Sequence, residues 1–202
     1  MLQFQSNDPR AVRTRDAMQL AFKELLREKP FQKISVTEIS ERAGFARHTF
    51  YNHYETKEDI LNHLVDGMLD RFFSDLDNWN FYHAKPGEDI QMVSSFFQAW
   101  RDNVELVDLL KKVDIDVVLI GRLKNQFTKF YYEQVTPGIP EAGAALGQYM
   151  ISFNAYTLLG VLQPWLQDNM KYSPQIMGEL VIQLSSAAQR KQTVENFKHI
   201  IR

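Results

Sequence analysis

The sequence predicts an all-α fold, and three observations carry that reading. Apolar residues recur at helical spacing along nearly the whole chain. No stretch alternates apolar and polar residues in the manner of a half-buried strand, and proline, glycine and capping residues bracket the periodic segments. No internal repeat or low-complexity tract interrupts them.

Met18, Ala21, Phe22, Leu25 and Leu26 fall on one face of a first helix, at i, i+3, i+4, i+7 and i+8. Pro30 closes it, because the residue before a proline avoids the helical region. Arg10, Arg13 and Arg15 stand ahead of this helix, either as a basic arm or as a solvated tail. Ser35 and Glu38 form a capping box for a short second helix, which turns Val36, Ile39 and Ala43 inward and stops at Gly44, a natural C′ residue. A third short helix runs from Arg47 to Tyr54, with Phe50 and Tyr54 on its inner side. Thr56-x-x-Asp59 then opens a long helix with a stripe of Ile60, Leu61, Leu64, Val65, Met68, Leu69, Phe72, Phe73 and Leu76. It ends near Asp77-Asn78-Trp79-Asn80, and the turn-rich run to Pro86-Gly87 marks a domain boundary.

Further helices are predicted at about 88–102, 104–113, 116–135, 140–170 and 174–191, broken at Thr136-Pro137-Gly138 and at Tyr172-Ser173-Pro174. Pro164 faces Gly160 one turn earlier, where its ring has room, so a kink is expected rather than a helix end.

Composition narrows the class. An apolar fraction of 45% and a charged fraction of 24% suit a globular protein with a sizeable core. With no cysteine there is neither a disulfide framework nor a thiolate metal site, which suits a cytoplasmic protein. The first ten residues lack the apolar segment of a signal peptide. Residues 142–167 carry no formal charge, but Gln148, Ser152, Asn154, Thr157, Gln163 and Pro164 argue for burial within protein rather than in a bilayer. No membrane partner is expected. Net charge is −2, yet residues 46–54 hold Arg47, His48 and His53 and no acid, so a local basic footprint survives.

Two short helices joined by a glycine turn and packed on a first helix make a tri-helical helix-turn-helix unit. In such a unit the second helix of the pair enters the DNA major groove. Arg47 at its start matches the O6 and N7 acceptors of guanine. Tyr51 and His53 offer donors to phosphates, and Lys57 sits in the first turn of the next helix, where an anion is already favoured. Tyr51 is read as a contact rather than as core, because Phe50 and Tyr54 already fill the inner side.

The block from Ser35 to Lys57, S-V-T-E-I-S-E-R-A-G-F-A-R-H-T-F-Y-N-H-Y-E-T-K, resembles the TetR/AcrR family of bacterial regulators. The likeness runs from about Arg13 to Leu64, in a form similar to a subgroup common in low-GC Gram-positive bacteria. It implies that Thr37, Arg47, His48, Thr49, Tyr51, Asn52, His53 and Lys57 touch DNA, with Arg47, His48 and Asn52 facing bases. It further implies residues 1–56 as N-terminal arm and DNA-binding domain, 57–80 as a connecting helix and 81–202 as a helical regulatory and dimerisation domain. A homodimer on a palindromic double-stranded operator, released by an unknown small-molecule effector, follows from the same likeness. Phe97, Trp100, Phe127, Tyr131, Tyr149, Phe153 and Tyr156 are the candidates for the effector pocket, with ordinary core as the alternative for each. Ile176, Leu180, Val181 and Leu184 would supply half of the dimer seam. Where the family often has Ser, Thr or Asn to cap the recognition helix, this chain has Ala46.

Repression is the usual mode in this family; activation, or a co-regulator whose DNA surface is vestigial, are the other readings. No enzyme is expected, since no nucleophile–base pair or phosphate-cradling glycine loop is found. No metal or cofactor is expected either: His48, His53 and His63 share no helical face, and no carboxylate completes a set.

Overall fold

The computed structural model describes residues 8–79, 87–113, 115–135 and 147–185, and all regular structure among them is helical. In chain order the helices are α1 (Pro9–Glu28), a 3-10 turn (Phe31–Lys33), α2 (Val36–Arg42), α3 (Arg47–Tyr51), α4 (Lys57–Asn78), α5 (Glu88–Asp102), α6 (Val104–Leu110), α7 (Ile115–Phe130) with a π-helical extension (Tyr131–Val135), α8 (Gly147–Gln167) and α9 (Pro174–Ser185). The predicted stretches 140–146 and 186–191 lie outside the described residues.

Two compact units divide these elements. The first contains the described residues of Met1–Met68 with Asn103–Val118; the second contains those of Leu69–Asp102 and Leu119–Arg202.

In the first unit Met18, Phe22, Leu26, Ile39, Phe50, Tyr54, Ile60 and Val65 are wholly buried, so the apolar stripes read from the sequence converge on one core. The capping box at Ser35 is present in both directions. The Glu38 N–H donates to Ser35 Oγ at 3.3 Å, and the Ser35 N–H donates to Glu38 Oε2 at 3.0 Å. Gly44 adopts φ +77°, a left-handed geometry that a side chain resists, and turns the chain from α2 towards α3. α6 belongs to this unit through contacts with α1, and Lys112 donates from Nζ to the Leu26 carbonyl at 3.1 Å, near the end of α1.

The arginines ahead of the first apolar stripe are neither arm nor tail. α1 begins at Pro9, with the Asp8 side chain accepting from the Arg10 N–H at 2.8 Å. Arg10, Arg13 and Arg15 therefore lie within the helix, the first two exposed and Arg15 buried.

In the second unit Phe72, Phe96, Phe97, Trp100, Leu119 and Leu123 form the centre of the core, and α5 packs closely on α9. Gly178 on α9 makes that approach possible: a Cβ there would stand 2.8 Å from the Ile90 carbonyl and would strike Ser94. α8 passes through Pro164 without ending, as expected from Gly160. It stops in two left-handed residues, Asn169 and Met170, after which Trp165 Nε1 donates to the Tyr172 carbonyl at 3.0 Å. Arg101 donates to the carbonyls of Met170 and Tyr172 and lies over the Trp165 ring. The α8–α9 joint is thus fastened to the end of α5.

Candidate nucleic-acid interface

The residues expected to read DNA gather around α3. Thr37, Arg47, His48, Tyr51 and Asn52 are exposed; Thr49, His53 and Lys57 are half-buried. α3 ends at Tyr51 rather than at Tyr54, and its inner side and the turn after it are committed to packing, with Phe50 and Tyr54 at zero exposure and their rings 5.6 Å apart. Tyr51, 41% exposed, faces outward. Arg47 donates from Nη2 to the Tyr51 hydroxyl at 2.9 Å, and its guanidinium lies 5.5 Å from that ring. The pair places the guanidinium on the outer face of the helix.

The start of α3 has no side-chain cap. Ala46 is the N-cap residue and supplies only its carbonyl, to the Thr49 N–H at 2.9 Å. The next helix, by contrast, has its start satisfied: Asp59 Oδ2 accepts from the Thr56 N–H at 2.9 Å and from the Glu55 N–H at 3.0 Å.

Lys57 opens the first turn of α4, as expected from the sequence, and its side chain is engaged there. Its ammonium donates to the carbonyls of Phe31 and Ile34, each at 2.8 Å, and stands 4.4 Å from the centre of the Phe31 ring. In this arrangement it fastens the 3-10 turn to the first turn of α4. His53 is half-buried, and among the described residues its Nδ1 finds no hydrogen-bond partner. Desolvation, reinforced by the Arg15 guanidinium, lowers its pKa and favours the neutral ring.

Residues not singled out from the sequence brace this surface. Arg42 at the end of α2 grips Glu28 at the end of α1 through two hydrogen bonds of 2.5 and 2.9 Å. Lys29 pairs with Glu38, whose pKa is lowered to about 2 by that bond and by the hydrogen bonds from Ser35. Gln19 donates to the Tyr54 hydroxyl at 3.2 Å. Nothing local in the sequence assigns these partners to one another.

The second unit contains a cavity of about 280 Å³ bounded by parts of α4, α5, α7, α8 and α9. Of the seven aromatic residues expected to line a pocket, Phe127 and Tyr131 do so. Phe97 and Trp100 are instead wholly buried core. Tyr149, Phe153 and Tyr156 are 66%, 53% and 56% exposed, on the side of α8 opposite to its buried Ile151, Ala155 and Leu158. α8 is apolar on both sides, so periodicity alone left its inward face undetermined. Phe130 lines the cavity as well, as do Trp79 and Met92, which were not singled out for this role from the sequence.

A helix-turn-helix head with an outward-facing arginine and a separate helical unit enclosing an apolar cavity define a class of DNA-binding transcription regulator. The family described as bacterial regulatory proteins, tetR family, matches residues 21–64, and a transcriptional regulator C-terminal region matches residues 87–187. The chain belongs to the TetR family; it is a transcription regulator and not an enzyme.

The chain is 41% identical over 59 residues to the uncharacterized HTH-type transcriptional regulator YxbF of Bacillus subtilis, a match spanning 29% of this chain and 16% of that protein. It is 28% identical over 82 residues to DhaS of Lactococcus lactis, the HTH-type dhaKLM operon transcriptional activator, across 41% of this chain and 43% of DhaS. The matched stretches thus span less than half of either relative. A solved structure of the dihydroxyacetone kinase operon activator DhaS superposes with a TM-score of 0.50 at 17% identity, over 88% of this chain and 97% of that one, and shares its fold. Among the described residues no helix is long and apolar enough to cross a membrane.

Proposed function

We propose that this regulator is a ligand-responsive repressor that binds a palindromic operator as a homodimer in the cytoplasm. The observation that carries the DNA-reading part is the Arg47–Tyr51 pair, exposed on a helix whose other side is locked into the core by Phe50, with Tyr54 buried just after it. A rigid backing and a preset donor fork are what major-groove readout requires. Thr37, His48, Thr49, Asn52 and His53 surround that fork as further contacts to bases and phosphates.

The homodimer is supported by α8, whose exposed Tyr149, Phe153 and Tyr156 recur at helical spacing. The occupant we assign to this face is a second copy of the chain, because a symmetric operator needs two heads related by a two-fold axis. Phe153→Glu should then give a monomer in sedimentation and weaken operator binding. Ligand response is supported by the cavity in the second unit, which would shift the protein between two states that differ in DNA affinity.

Gel-shift titration with the DNA upstream of the chain's own gene tests the reading. Retarded complexes in the nanomolar range, lost on Arg47→Ala, support it. A reporter assay then decides the sign of regulation, since the related DhaS is a transcriptional activator. A second reading, a co-regulator with a vestigial DNA surface, is favoured by the uncapped start of α3 and by the engagement of Lys57 with backbone carbonyls. It predicts no sequence-dependent retardation at all.

A further inference from the structure

The cavity in the second unit has an uneven chemistry. Among the described residues that line it, Asp89 is the only one with a formal charge. The rest of the wall is largely apolar and aromatic. Trp79 and Phe130 stack with centroids 5.6 Å apart and planes inclined by 17°, and Phe72 meets Phe127 edge to face at 6.4 Å. Asp89 lies in the first turn of α5, where Oδ1 accepts from the Ile90 N–H at 2.8 Å. Lys129, beside Phe130 in the chain, donates instead to Asp77 at 2.7 Å.

A second feature adjoins the first. An outer groove of about 920 Å³ shares Trp79 and Met92 with the cavity. Among the described residues that line it, the charged ones are Asp75, Glu88 and Asp102 against Arg71. The approach and the interior therefore carry the same sign of potential, which raises the local concentration of cations and lowers that of anions.

A ligand in this cavity has to satisfy a carboxylate within an aromatic wall. An anion would be repelled, and a neutral molecule would desolvate Asp89 without offering a counter-charge. A cation wrapped in carbon gains twice, from the carboxylate and from the negative faces of Trp79 and Phe130. Its size is bounded too, since 280 Å³ lies just under the roughly 300–1,000 Å³ of common ligand sites. We propose that the effector is a small organic cation with an apolar body, an aryl- or alkyl-substituted ammonium, with its positive end between Asp89 and the Trp79–Phe130 stack. This rests on the reading of the cavity as the effector site.

Isothermal titration of the full chain with three similarly sized probes tests it: benzyltrimethylammonium, uncharged N-benzylacetamide and anionic 3-phenylpropanoate. The cation should bind roughly thirtyfold tighter than either of the others, the size of a desolvated cation–aromatic contact. Asp89→Asn should remove most of that preference, weakening the cation while N-benzylacetamide binds as well or better once the charge it would desolvate is gone; helical circular dichroism equal to that of the parent chain shows that the variant is folded. Equal or tighter binding of the neutral or anionic probe overturns the ligand class but leaves the effector site standing. Unchanged cation affinity in Asp89→Asn likewise overturns the role of the carboxylate. Binding of none of the three overturns both.

Discussion

Lys57 holds Phe31 from two sides: its ammonium donates to the Phe31 carbonyl at 2.8 Å and stands 4.4 Å from the ring of the same residue. Together with the bond to the Ile34 carbonyl, this joins the segment ahead of α2 to the first turn of α4. Lys57→Met should destabilise the DNA-free protein by about 1–2 kcal/mol, through lost charge-assisted bonds and the aromatic contact. Urea unfolding measures it. A Lys57 that served only as a phosphate contact would leave the unfolding midpoint unmoved and change DNA affinity alone.

Arg47 and Tyr51 should behave as one unit in recognition. Arg47→Ala is expected to cost about 1–3 kcal/mol and to relax preference at a single base-pair position. Tyr51→Phe keeps the ring but removes the hydroxyl that accepts from the guanidinium. A double-mutant cycle on operator binding should show coupling between the two. Strict additivity would mean that the pair forms only in the free protein.

His53 links DNA binding to pH. Its pKa is lowered in the free protein by desolvation and then by Arg15, while a nearby phosphate would raise it. Binding therefore takes up a proton, and affinity should rise as pH falls through the window below the ordinary value of 6.5. His53→Gln should flatten that slope relative to the parent chain. Titrations across pH with intact His48 in both proteins separate the two imidazoles.

Acid stability has a marked group as well. Glu38 has its pKa lowered from 4.5 to about 2, with the Lys29 bond as the first cause. Because the folded value is depressed, its contribution is full above pH 4.5 and is lost as pH falls towards 2. Glu38→Gln should lose this part of the pH dependence in unfolding curves, while Glu24→Gln, whose carboxylate is 3.8 Å from Arg42, should change it less.

Two glycines should respond with opposite signs. Gly67 in α4 has nothing within 4 Å of an added Cβ, so Gly67→Ala should stabilise by about 0.5–1 kcal/mol. Gly178→Ala would drive a methyl group against Ser94 and the Ile90 carbonyl, and should destabilise by about 1–3 kcal/mol. Thermal unfolding of the two variants measures the difference.

Local signals in the sequence were enough for most of the first unit. Ser35 with Glu38, Gly44, and the spacing of Phe50 and Tyr54 each specify their own geometry within a few residues, and the structure shows all three. The start of α1 was also written locally, in Asp8-Pro9, but no apolar stripe drew attention to it. What periodicity leaves undetermined depends on distant partners. The 3-10 turn is fastened by a lysine 26 positions later, and α8 has apolar residues on two sides, of which the aliphatic one turned inward. The break at Tyr172-Ser173-Pro174 resolves into a helix joint held by Trp165 and Arg101, the latter a residue that gives no local hint of that role.

The central claim, sequence-specific reading of DNA by a two-fold pair of α3 helices, is tested most directly by selection of the full chain against a random duplex library. The expected result is enrichment of a near-palindrome with half-sites about one helical turn apart, roughly 34–36 Å, or a whole multiple of it. Arg47→Ala should lose that enrichment at one symmetric base-pair position. Recovery of unenriched sequence after repeated rounds, with the protein folded, would contradict the claim and leave the co-regulator reading in its place.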